Sequence, residues 1–186
     1  MRKVDYHYRT AFELKDEQKY TEWIIRVSEA ERVILEHLAY TFCSDDQLLK
    51  MNQEFLNHDY YTDILTFPAG SAKVIAGDIF ISVDRVRDNA ETFSASENSE
   101  LKRVMIHGVL HLCGYTDATK EEQRVMREKE DRYIKMFHVK HLFPSSNQLD
   151  QLKPLHWHQL QRLVYETKGA TAQRLPELII PKGCQY

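Results

Sequence analysis

The stretch His107-Gly108-Val109-Leu110-His111-Leu112-Cys113-Gly114-Tyr115-Thr116-Asp117 constrains the fold more than any other part of the chain. Four residues advance about 400° along an α-helix, so His107 and His111 share a face and both imidazoles reach one point beside it. Gly114 follows three positions later, where a left-handed turn can end the helix and a residue bearing a Cβ would resist. The chain then folds back and delivers Asp117 as a third ligand.

Two imidazoles, a carboxylate and a position left for water form the pattern of catalytic zinc, whereas a structural site uses a fourth residue. One divalent ion is therefore expected on His107, His111 and Asp117, with zinc the first choice and manganese or iron also compatible with such ligands. The spacing resembles the metzincin peptidase pattern HExxHxxG. Those peptidases need a glutamate after the first histidine to take a proton from water. Gly108 stands there and has no side chain, which argues against peptide hydrolysis by that route.

The 186 residues suit one ordinary domain with an appendage. No apolar run approaches the roughly 20 residues of a membrane helix, and Met1 to His7 holds no apolar signal core. A cytoplasmic location with no membrane partner is expected. Cys43, Cys113 and Cys184 form no CxxC pair and read as reduced thiols, with Cys113 in an apolar rather than a ligand role. Residues 1–134 carry 18 basic and 25 acidic side chains, net −7, against net +4 from Lys135 onward. An acidic body gives no general grip on nucleic acid, so RNA binding must come from a local patch or from the tail.

Alternation over Val4–Tyr8 predicts a strand, and Tyr20, Trp23, Ile24 and Val27 predict a helix from Asp16 to about Ala30. Val33 to Phe42 reads as a second strand, and Ser44 with Gln47 as a capping box opening a helix through Phe55. Strands are expected at Thr62–Phe67 and Gly77–Val83, and helices at Asp84 to Phe93, from Ser96–Ser99 to Cys113, and at Thr119 to Met136. The fold class is α+β: a mixed four-stranded sheet covered by helices, with the metal site on a helix followed by a glycine turn. Residues 1–136 form the domain, and 137–186 form a basic extension of unknown role. That extension holds an amphipathic helix from Pro154 to Gly169 and histidines whose spacing fits no standard metal site.

His107, Gly108, Leu110, His111, Leu112, Gly114 and Tyr115 match the HGxLHLxGYDH signature of the YbeY-type rRNA maturation endoribonucleases, which this sequence resembles. Glu100-Leu101 before the run and Met126 with Glu130 after it are similar to the family's flanks. Asn52 and Phe55, Thr62 to Phe67, and Gly77-Asp78-Ile79 resemble its LNxxYR, PTDVLSF and GDI segments, in the same order. The likeness spans about residues 4 to 136. It implies a metal-dependent endoribonuclease directed at single-stranded rRNA, acting in small-subunit maturation and ribosome quality control, with the small subunit or its proteins as partners.

Three positions depart from the family pattern. Thr116-Asp117 replaces its Asp-His, which keeps three ligands but lowers the site's charge by one and should weaken Lewis acidity. Leu56 stands where the family has an arginine that the resemblance assigns to RNA phosphate. The tail has no counterpart.

Phosphodiester cleavage needs a cation for developing negative charge. Arg103, four residues before His107, could supply it or pair with Glu100 on the same face. Asp63 and Thr62 are candidates to hold a ligand histidine's other N–H, and Asp63 could equally cap a loop. Arg103 and Asp63 are thus the catalytic candidates. Two rival functions remain: a non-catalytic ribosome assembly factor whose metal only fixes the fold, and a metal-dependent hydrolase of another substrate.

Overall fold

The computed structural model describes residues 4–71 and 73–138. The sequence expectations for Pro154–Gly169 and for His141, His156 and His158 lie outside them.

Among the described residues, five helices and four strands follow in the order β1 (Val4–Tyr8), α1 (Glu17–Ala30), β2 (Ile34–Cys43), α2 (Asp45–Leu56), β3 (Ile64–Pro68), β4 (Val74–Ser82), α3 (Val83–Thr92), α4 (Glu97–Leu112) and α5 (Lys120–His138). The sheet order is β1-β2-β4-β3. β1 and β4 run parallel to β2, while β3 closes the edge antiparallel to β4, with Val4 beside Leu38, Tyr40 beside Ile79 and Ile64 beside Ile81. The sheet is mixed and four-stranded, and the α+β class holds.

Local chemistry sets most boundaries. Asp16, Ser44, Ser82 and Ser96 each cap the helix that follows, accepting a backbone N–H with the side chain. Ser44 and Gln47 form the full reciprocal capping box. β4 begins at Val74, ahead of the Gly77 that reads as a strand start, because Val74 to Ala76 already pair with Ile34 to His37 of β2.

One face of the sheet packs the main core. Leu38, Tyr40, Phe42, Ile79 and Ile81 meet Trp23 and Val27 of α1, Val86 of α3, Met105 and Val109 of α4, and Tyr133 and Phe137 of α5. Removing this apolar surface from water is the main force assembling the sheet and its helices. On the other face, α2 sets Leu48 against Cys43 and Leu65. The Trp23 indole N–H donates to the Tyr133 carbonyl at 2.7 Å and ties α1 to α5.

α4 lies on β3 and β4 with α3 and α5 also packed against it. The approach is close because of Gly108. A Cβ there would come within 2.7 Å of Ile64 Cδ1 and 2.9 Å of Ile79 Cδ1. The position after His107 therefore points into the sheet, so even a glutamate there would face the core rather than water.

Candidate metal centre

The bulk of α4 is buried, including Val104, Met105, Ile106, Gly108, Val109 and Leu110, yet His107 and His111 lie on a partly open face. The helix ends in a Schellman motif. Gly114 N–H donates to the His111 carbonyl at 2.9 Å and Tyr115 N–H to the Leu110 carbonyl at 3.0 Å, with Gly114 at φ +93°. This turn returns the chain so that the Tyr115 carbonyl accepts from His111 Nδ1 at 2.9 Å. It also brings Asp117 Oδ2 to 3.6 Å from His107 Nε2.

On the other side, α5 supplies Glu130. Its Oε1 accepts from His107 Nδ1 at 2.8 Å, and its Oε2 accepts from Arg103 Nη1 at 2.8 Å. Arg103 also donates from Nη2 to Asp131 at 2.8 Å and stands 3.9 Å from Glu100. Its charge is matched by three carboxylates.

The two Nδ1 partners settle the tautomers. A carbonyl oxygen only accepts, so His111 carries its proton on Nδ1, and the Glu130 carboxylate favours the same arrangement at His107. A neutral imidazole of that form presents a lone pair at Nε2. The two Nε2 atoms lie 2.9 Å apart with the rings at 89°. Two facing lone pairs at that distance are favourable only around a shared proton or cation. One donor atom from each of His107, His111 and Asp117 falls within 4.8 Å of the others, so the set fits a single metal ion. Burial disfavours a charged His107, yet the hydrogen bond and charge of Glu130, with Asp117 and Asp63, raise its pKa above the ordinary value. The same field attracts a metal cation.

His107 and Asp117 open onto a cleft of about 590 Å³, lined also by Asp63, Asn89, Phe93, Arg103, Arg127 and Glu130. Asp63 borders this cleft, with its Oδ2 accepting from Asn89 at 3.3 Å. The histidine Nδ1 protons go to Glu130 and Tyr115, while Thr62 donates to the Ile64 carbonyl. The Tyr115 hydroxyl donates to Glu31 at 2.8 Å. Cys113 is half-buried, and burial pushes its thiol up to about 12, the apolar role its spacing predicts. His58 is exposed and stacks on Tyr60.

Glu130 is the site residue that spacing around the histidines does not reveal. Its match to the family's flank is one signal, and the helix pattern is a second: a carboxylate at position 130 interrupts the stripe Met126, Tyr133 and Phe137, which α5 buries. A buried acid within an apolar stripe needs a partner. The Tyr115 contact uses a backbone carbonyl and leaves no mark in residue type.

The family model described as Endoribonuclease YbeY matches residues 5–138. The chain belongs to the YbeY family. Two relatives named Endoribonuclease YbeY support this. The Flavobacterium psychrophilum protein is 44% identical over 137 residues, which is 74% of this chain and 98% of the relative. The Flavobacterium johnsoniae protein is 46% identical over 136 residues, 73% of this chain and 98% of the relative. A Thermotoga maritima protein known from its solution structure shares the fold at a TM-score of 0.53 and 24% identity, covering 92% of this chain and 99% of that one. Among the described residues, no helix is long and apolar enough to cross a membrane.

Proposed function

We propose that this protein is a metal-dependent endoribonuclease that cuts single-stranded rRNA in small-subunit maturation and ribosome quality control. Residues 1–136 carry the activity, 137–186 form an extension, and the cytoplasmic small subunit or its proteins are the partners. The observation that carries this reading is the facing pair of Nε2 lone pairs beside Asp117, in a cleft of a YbeY-family chain.

His107, His111 and Asp117 would hold one divalent ion, zinc by ligand preference. Such an ion supplies Lewis acidity towards a phosphoryl oxygen and towards attacking water. Glu130 and the Tyr115 carbonyl keep the Nδ1 protons in place and so keep both Nε2 lone pairs directed into the site. Arg103 balances Glu130 and Asp131, which makes it a support for the histidine rather than a free cation. Asp63, steadied by Asn89, is the carboxylate on the cleft that stands outside the ligand set and the Arg103 network, and it is the candidate proton acceptor.

Purified protein given one equivalent of zinc should cut single-stranded rRNA, and His111→Ala should abolish the cutting. Equal activity in that variant would sink the reading. Elemental analysis should find less bound metal in Asp117→Ala than in the parent. RNA binding with bound metal but no cleavage would select the assembly-factor role instead.

A further inference from the structure

Two side chains on the cleft take no part in the network around His107. Phe93 caps the C-terminus of α3. Ser94, in the left-handed region at φ 52°, donates its N–H to the Glu91 carbonyl at 3.2 Å, and Ala95 donates to the Ala90 carbonyl at 2.8 Å. These bonds fix the backbone that carries the ring. The ring itself is 65% exposed and borders the cleft that holds His107 and Asp117.

Arg127 reaches the same cleft from α5, and its side chain is exposed. It makes no hydrogen bond or ion pair with any described residue, although its charge is felt at Glu100. The other arginine on the cleft, Arg103, is engaged by Glu130 and Asp131. A chain with net −7 over residues 1–134 needs a local cation to hold a phosphate.

We propose that Phe93 and Arg127 together seat one nucleotide of single-stranded RNA, the base stacked on the phenyl ring and the phosphate paired with the guanidinium. The inference rests on the RNA reading above. Stacking on a protein ring needs an unpaired base, which a single strand offers and a duplex withholds. The arginine fork matches phosphate geometry. Both groups act on any sequence, since every base has a π-face and every nucleotide a phosphate. The seat therefore selects strandedness rather than sequence.

Fluorescence anisotropy of the full-length, zinc-loaded protein tests this with a labelled single-stranded oligoribonucleotide whose 2′-O-methyl and phosphorothioate groups resist the proposed cutting, and gels of the same samples confirm intact RNA. Phe93→Ala should weaken binding by about 5- to 100-fold, and Phe93→Trp should restore it. Phe93→Leu keeps apolar bulk without a ring and should weaken binding as well; thermal melts establish that each variant folds. Arg127→Ala should weaken all sequences alike and reduce the slope of log affinity against log salt by about 0.7. Duplex RNA should be indifferent to Phe93→Ala. Parent-like single-strand binding by Phe93→Ala or Arg127→Ala overturns the seat, as does equal loss in Phe93→Trp and Phe93→Ala. A parent protein that binds no single-stranded RNA overturns the RNA reading itself.

Discussion

Glu130 governs His107 through one proton. Its carboxylate is buried, holds His107 Nδ1 at 2.8 Å, and is itself held by Arg103. Glu130→Gln keeps the shape but removes the charge that fixes the imidazole tautomer and strengthens the ring as a ligand. Metal affinity, read by competition with a chelator, should fall by about 10- to 100-fold, the usual cost of losing such a support. Unchanged affinity would mean that Glu130 serves packing alone. Arg103 would still keep Asp131, so the loss should appear at the metal before it appears in the folding of α5.

The α4 terminus shows how an element turns local sequence into a site. Gly114 accepts φ +93° because it has no Cβ, and its turn places both the Tyr115 carbonyl and Asp117. Gly114→Ala should cost about 1–2 kcal/mol in thermal or chemical unfolding, the penalty of a left-handed alanine. Space is not the cause, since nothing lies within 4 Å of the missing Cβ. Gly114→Asn should cost less, because asparagine tolerates that region. Equal stability of all three proteins would refute the backbone argument. This turn, the His107–His111 spacing and the Ser44 capping box were legible because each is complete within a few residues. The Glu130 contact bridges 23 positions and exists only once α5 docks on α4, so no local pattern spells it out. Arg103 illustrates the same limit. Its pairing with Glu100 is visible as helix spacing, whereas its two 2.8 Å partners come from α5.

At the scale of the molecule, the C-cap of α1 is tied to α5 and to the turn after α4 through Glu31. Its carboxylate accepts from Lys129 at 2.7 Å and from Tyr133, both on α5, and from Tyr115 beyond α4. Burial alone would raise its pKa, but these three donors outweigh it and hold the carboxylate below its ordinary value. A folded-state pKa below the unfolded one adds stability that is complete above the unfolded pKa and is lost as pH falls through the folded one. The parent protein should therefore melt higher than Glu31→Gln at neutral pH, and the gap should close as pH drops below the ordinary glutamate range near 4.3. Melting both proteins free of metal keeps any difference in metal binding out of the comparison, so the gap between them isolates Glu31. A gap that stays constant across the titration would mean that Glu31 contributes shape rather than charge. Because one of its donors is Tyr115, whose carbonyl orients His111, the same variant should lose metal affinity at neutral pH. The tie between α1 and α5 thus reaches the candidate metal centre through a single residue.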